Sequence, residues 1–142
     1  MATATGQAPL QTVLRRSVPA VTIAADSEVV IGRIPAAQGV QTVTSVTYTA
    51  EALITGTDTQ SRTLTLYNRK GDASGTVVLA QLALTLTPPI TAAKWVPRTI
   101  PLSVVAGALD LAAGDVLTWS SLHIGTGLVD SGGLVEVTTT RA

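Results

Sequence analysis

Gln41-Thr-Val-Thr-Ser-Val-Thr-Tyr-Thr-Ala-Glu-Ala-Leu-Ile-Thr55 decides the fold. Val46, Tyr48, Ala50, Ala52 and Ile54 fall on one face and Ser45, Thr47, Thr49 and Glu51 on the other, the period of two that marks a half-buried β-strand. Residues 56–58, Gly-Thr-Asp, signal a turn, and Ser61-Arg-Thr-Leu-Thr-Leu-Tyr-Asn-Arg69 alternates again, with Leu64 and Leu66 inward. Residues 41–69 therefore read as a long hairpin.

The same grammar runs outward in both directions. Residues 27–34 are β-branched and stop at Pro35, because proline cannot donate to a ladder. Towards the C-terminus, 76–86 places Val78, Ala80, Leu82, Leu84 and Leu86 on one face, ending at Pro88-Pro89. Its Leu/Ala content also suits a helix, but the flanking turns and Thr/Val content favour a strand. Residues 98–105 form a short strand bent at Pro101, 115–124 and 134–140 are strands, and 107–114 is the best candidate for a helical turn. Seven or eight strands at regular spacing make the chain all-β: an antiparallel two-sheet sandwich, jelly-roll-like. Residues 1–26 lack this periodicity and read as an extended N-terminal arm, so the organisation is an arm over 1–26 and a sandwich domain over 27–142.

Composition narrows the function. Among 142 residues there is no Cys, no Phe and one His, and charged residues make up 13%. About 25% is usual, so much of the exterior is neutral, a surface suited to lying against other protein. Nine basic residues balance nine acidic ones. No basic stripe is present to displace counterions from phosphates, so no nucleic acid is expected as partner, and no polybasic patch points to a membrane. Lack of Cys excludes a disulfide framework and a thiolate nucleophile. Arg15-Arg16 before an apolar stretch imitates a twin-arginine signal, but Pro19 and Thr22 interrupt that stretch, and no signal peptide is expected.

Catalytic equipment is sought without result. Ser121 and His123 share a strand face, but residues two apart are separated by about 7 Å, too far for a nucleophile–base hydrogen bond. The carboxylates are scattered, and glycosidase chemistry needs a pair about 5 to 9 Å apart beside sugar-stacking aromatics. Asp110, Asp115 and Asp130 do not match a calcium-loop spacing, so turn capping is their reading. Gly125-Thr-Gly127 has no following Lys at the spacing a phosphate loop requires. The expectation is no enzyme, no cofactor and no metal. Trp95 and Trp119 read as core or subunit-interface bulk in a chain without Phe.

Leu109-Asp-Leu-Ala-Ala-Gly-Asp-Val-Leu-Thr-Trp119 and Ile124-Gly-Thr-Gly-Leu-Val-Asp-Ser-Gly-Gly-Leu-Val-Glu-Val137 resemble the end of small β-sandwich virion proteins of tailed bacteriophages. They are similar to what is seen in capsid decoration (cement) proteins. The shared element is a Gly-Asp turn before one strand and a Gly-rich turn before the last, covering about the final 30 residues. What the resemblance implies is a non-enzymatic protein on the capsid exterior that binds the major capsid protein and stiffens the icosahedral head. Such a protein is often a homotrimer, and it would be made in the host cytoplasm. The apolar and basic arm residues Leu10, Val13, Leu14, Arg15 and Arg16, with Trp95 in the 88–98 connection, are the candidate partner-binding residues. Alternative readings are another phage structural role (head fibre base, collar or tail-associated) and a carbohydrate-binding or adhesin module.

Overall fold

The computed structural model describes residues 11–35, 39–57 and 59–141. Eleven strands make up the described chain: β1 Gln11–Val18, β2 Ser27–Arg33, β3 Gln41–Ala50, β4 Ile54–Thr55, β5 Ser61–Asn68, β6 Val77–Leu84, β7 Thr91–Ala92, β8 Arg98–Thr99, β9 Asp110–Leu111, β10 Val116–Ile124 and β11 Gly133–Arg141. One sheet has the order β1-β11-β3-β8, with β9 also on β3, and the other has the order β2-β10-β5-β6. All strand pairs are antiparallel. Eight of these strands thus fall four to a layer, β1, β11, β3 and β8 in one and β2, β10, β5 and β6 in the other, which is the strand order of a jelly roll.

The core lies between the layers. Val46, Tyr48, Ala50, Val135 and Val137 of the first sheet face Leu64, Leu66, Leu82, Leu117 and Trp119 of the second, all buried. Inward alternation continues through a bulge in β3: Ser45 pairs with Thr138 and Val43 with Thr139, leaving Thr44 as the extra residue. That one insertion changes the phase of the strand, so Gln41 and Val43 point inward along with Val46 and Tyr48. Trp119 belongs to this core, its ring tilted against Tyr48 at a centroid distance of 5.4 Å.

The hairpin expected over 41–69 does not form. β3 lies in one sheet and β5 in the other, and residues 51–60 carry the chain across the sandwich, Ile54–Thr55 pairing with Thr91–Ala92 on the way. Each strand has one apolar face, and stacking those faces across the core buries both, whereas pairing edge to edge would leave that burial to other strands. Ala52, expected inward, is exposed in this crossing. Residues 107–114 are turns and β9 rather than a helical turn. So short a helix nucleates poorly, and the Asp115 carboxylate instead caps the bend, accepting from Ala112 N at 2.9 Å and from Asn68 Nδ2 at 2.8 Å.

Residues 1–10 of the expected arm, Leu10 included, lie outside the described residues. Gln11–Val18 is the terminal strand of this chain's own sheet, paired with β11 along its full length.

Candidate interaction surface

Jelly-roll connectivity sends alternate loops to opposite ends. The β1–β2, β3–β5, β6–β8 and β10–β11 connections meet at one end, and cross-contacts tie them together. Val21 and Asp130 exchange backbone bonds of 2.8 and 2.9 Å. Glu51 N donates to Gly132 O and Trp95 N to Ala50 O. Gly125 and Gly127 have positive φ, and a Cβ on either would lie inside contact distance of the Thr59 or Ile23 carbonyl oxygen. Only glycine lets the last connection pack this closely against its neighbours.

Beneath these loops sits a buried polar network. Inward alternation in β5 includes Arg62 with Leu64 and Leu66, and Arg62 is fully buried. Its Nε donates to Leu128 O at 2.9 Å, Nη1 to Ala25 O at 3.0 Å and to Ser121 O and Oγ at 3.3 Å, and Nη2 to Thr22 O at 3.0 Å and Ile23 O at 3.1 Å. All three guanidinium nitrogens are spent holding the first and last loops of this end. Ser121 Oγ in turn donates to Asp130 Oδ2 at 2.6 Å, and Asp130 Oδ1 accepts from Tyr48 Oη at 2.6 Å and Gly132 N at 2.9 Å. Cation and anion are thereby linked through one hydroxyl, which offsets the cost of burying either. Burial, and then the Asp130 charge, push the Tyr48 hydroxyl far above its ordinary pKa.

On this scaffold the loop end exposes Ile23, Leu53, Leu86, Trp95, Val96, Ile124 and Val129, each more than 40% accessible. Trp95 is 67% accessible and stands at φ 61°. A bulky residue in the left-handed region costs of order 1–3 kcal/mol. Lys94 Nζ lies 4.1 Å from the centroid of its ring, a cation–π contact. Of the two tryptophans, Trp119 is the core residue and Trp95 is displayed.

The expected partner-binding residues do not converge. Val13 is 42% exposed on the outer face of β1, whereas Leu14 turns inward against the core and touches Gly32. Arg15 Nε donates to Glu136 at 2.7 Å, and Arg16 Nη1 donates to Val30 O at 2.8 Å. β11 and β3 stand between this strand and the loop that carries Trp95. Leu86, read on one face with Ala80, Leu82 and Leu84, lies beyond the end of β6 and is exposed; periodicity gave no sign of Ile23, Leu53, Val96 or Val129, because loop residues have no face until the loops are brought together.

Ser121 and His123 are committed elsewhere. The Ser121 hydroxyl donates to Asp130, while His123 Nδ1 lies 2.6 Å from Asp26 Oδ1, which also accepts from His123 N at 2.8 Å. Those two bonds, the backbone one first, hold the Asp26 carboxyl below its ordinary range. Among the described residues no group of three or more His, Asp or Glu is placed to hold a metal ion. On the outer face of the second sheet, Glu28, Val30, Arg69, Asp72, Val116 and Thr118 line an open depression of about 640 Å³. Its charges are already held: Arg69 grips Glu28 through Nε at 2.7 Å and Nη2 at 2.6 Å, Thr118 Oγ1 donates to Glu28 at 2.6 Å, and Asp72 accepts from Ser74 N at 3.1 Å and Ser74 Oγ at 2.6 Å. The Arg69 bond, chiefly, holds the Glu28 carboxyl below its ordinary range.

No family model matches the chain, and no curated protein matches its sequence. A search of solved structures finds a chain in "Structure of infectious bursal disease virus Gx strain" aligned over 95% of this chain at 8% identity and a TM-score of 0.45. The match takes in 33% of that chain, so this chain spans about a third of its length.

Proposed function

We propose that the chain is a non-enzymatic structural protein of a tailed-phage virion, which binds the outer surface of the icosahedral capsid and stabilises it. The observation that carries the reading is the displayed apolar end. Seven large hydrophobic side chains, one of them a tryptophan on strained backbone, stand on loops fixed from below by the Arg62 network. Exposed apolar patches on an otherwise rigid domain mark protein interaction sites, and tryptophan is the residue type most enriched among binding hot spots. The Gly-Asp and Gly-rich turns of the C-terminal third supply the resemblance to decoration proteins. Neutral, Thr-rich strand faces bury against neighbours at little desolvation cost, which agrees with a trimer seated among capsid subunits.

The test is to mix the purified chain with empty expanded capsids and measure occupancy by sedimentation and particle reconstruction. Saturable binding on the exterior, weakened at least about tenfold by Trp95→Ala, is the expected result, with the free chain's mass showing whether it is a trimer. Binding elsewhere on the particle would assign it to a fibre base, collar or tail. Because Gln11–Val18 belongs to the sandwich, the contribution of the preceding residues is tested by deleting 2–10 only. A second reading rests on Trp95 with Lys94: an exposed indole flanked by a cation also suits a sugar-stacking platform, and a glycan array would separate the two.

A further inference from the structure

Most arginines of the described chain are held by oxygen. Arg62 has six acceptors, Arg15 and Arg69 have carboxylates, and Arg16 and Arg33 donate to backbone carbonyls. Arg141 is exposed at the end of β11, where water solvates it. Arg98 fits neither description. It is half-buried, its Nε is wholly enclosed, and among the described residues its guanidinium has no hydrogen bond or ion pair. Buried polar groups are nearly always partnered, so an orphan of this kind calls for a cause.

The fold places this cation beside the displayed indole. Arg98 stands opposite Tyr48 in the β3–β8 pair, and residues directly opposite project to the same side of a sheet. Tyr48 is on the core side, so the arginine stem runs inward at the edge of the layer, with Thr99 exposed and Ile100 buried after it. Nη1 and Nη2 are not enclosed, which leaves a fixed stem with an open fork. Two residues further along the same strand, Ala50 accepts from Trp95 N and bridges Lys94, a rung about 7 Å away. Residues 85–103 contain Lys94 and Arg98 and no carboxylate. Lys94 lies over the Trp95 ring, and Glu51, the acidic residue that follows β3, makes no ion pair with either cation.

We propose that Arg98 anchors a carboxylate of the polypeptide that covers Trp95. An Asp or Glu side chain of that partner accepts end-on from Nη1 and Nη2, while an apolar side chain of the same segment lies on the indole. The inference rests on reading the loop end as a protein contact and adds the partner's chemistry. Charge complementarity selects the acid, and an arginine fork on an immobilised stem loses little freedom on pairing. An acidic sugar fits less well, because Leu53, Leu86 and Val96, displayed on the same end, offer its hydroxyls no hydrogen bonds.

The probe is a capped eight-residue peptide of leucine, serine and two glutamates, titrated into the ¹⁵N-labelled full chain. A twin with glutamine for glutamate and free glucuronic acid are titrated beside it. The glutamate peptide is expected to shift the Trp95 indole N–H and the Arg98 Nε–H together, and to bind at least about tenfold more tightly than its twin. Arg98→Gln, which breaks no bond within the chain, should bring the two peptides within about twofold of each other, whereas Trp95→Ala should weaken both by the same factor. The comparison of the twins on the unmodified chain holds even if a variant folds poorly. No shift at about 1 mM glutamate peptide, equal affinity of the twins, a preference that survives Arg98→Gln, or shifts centred on Arg16, Arg33 or Arg141 would overturn the anchor. Tighter binding of glucuronic acid than of the peptide would overturn the polypeptide partner. Capsid occupancy is scored separately: a glutamate preference without capsid binding refutes the capsid reading alone, and capsid binding without the preference refutes the anchor alone.

Discussion

Arg62→Met is the most searching perturbation of this molecule. Methionine keeps most of the buried stem but removes the guanidinium, so the carbonyls of Thr22, Ile23, Ala25 and Leu128 lose their donors. Asp130, 1% exposed, loses the cation that reaches it through Ser121. An orphaned buried acceptor costs about 1–3 kcal/mol, but the Thr22, Ile23 and Leu128 loops lie close enough to solvent to recover part of this. Breaking a buried charge pair by deleting one partner costs about 3–5 kcal/mol in total, and we expect that range. For 142 residues the unfolding entropy is about 0.3 kcal/mol/K, so the melting temperature falls by about 10–17 °C. Differential scanning calorimetry reads the loss, and hydrogen exchange at Val21 and Asp130 shows whether the loop end opens before the sheets. Adding Asp130→Asn should recover about 1–2 kcal/mol relative to the sum of the single variants. A fall under about 3 °C, or additive single variants, would refute the network as the anchor of this end.

Four other outcomes are expected. The raised Tyr48 hydroxyl stays neutral in the folded chain while its unfolded counterpart ionises above about pH 10. Stability should therefore fall by up to about 1.4 kcal/mol per pH unit as pH rises beyond that point, a slope that urea titrations of Tyr48→Phe should lack. Glu28 and Asp26 have depressed carboxyls, so their contribution is present above the ordinary carboxylate range and is lost as pH falls below about 4.5. Glu28→Gln should flatten that acid limb in denaturant midpoints, and an unchanged limb would count against the Arg69 contact. Trp95→Gly relieves left-handed strain and should raise stability by about 0.5–1 kcal/mol while removing the quencher-accessible part of the tryptophan emission; a loss of stability would show that the indole packs. Gly127→Ala, with φ 77° and the Ile23 carbonyl in its path, should cost at least about 2 kcal/mol by thermal melts, and a neutral result would mean the last loop can withdraw.

The all-β class and the long strands from β2 onward were legible from alternation and β-branched runs, since a period of two is a local property of the chain, whereas β1 lay in a stretch without that period. Ala80, Leu82 and Leu84 of β6 and Leu64 and Leu66 of β5 are buried as that pattern required. The local code ended where a residue's role depends on what another segment brings to it. Alternation tells which side of β3 and β5 is apolar but not whether those sides stack or pair, so the hairpin reading failed and the crossing of residues 51–60 was not legible. Thr44 reverses the inward phase only because β11 opposes it one residue short. Arg62 is a core residue because two loops and strand β10, distant in sequence, deliver six oxygens to its nitrogens. Trp95 and Trp119 are chemically identical, and tertiary packing alone sent one to the interior and held the other in the open. Sequence by itself thus determined most of the long strands and their apolar faces, through backbone geometry and hydrophobic burial acting over neighbouring residues. The tertiary structure decided the partners, the buried charge network and the displayed end, because those energies exist only between segments that are far apart along the chain.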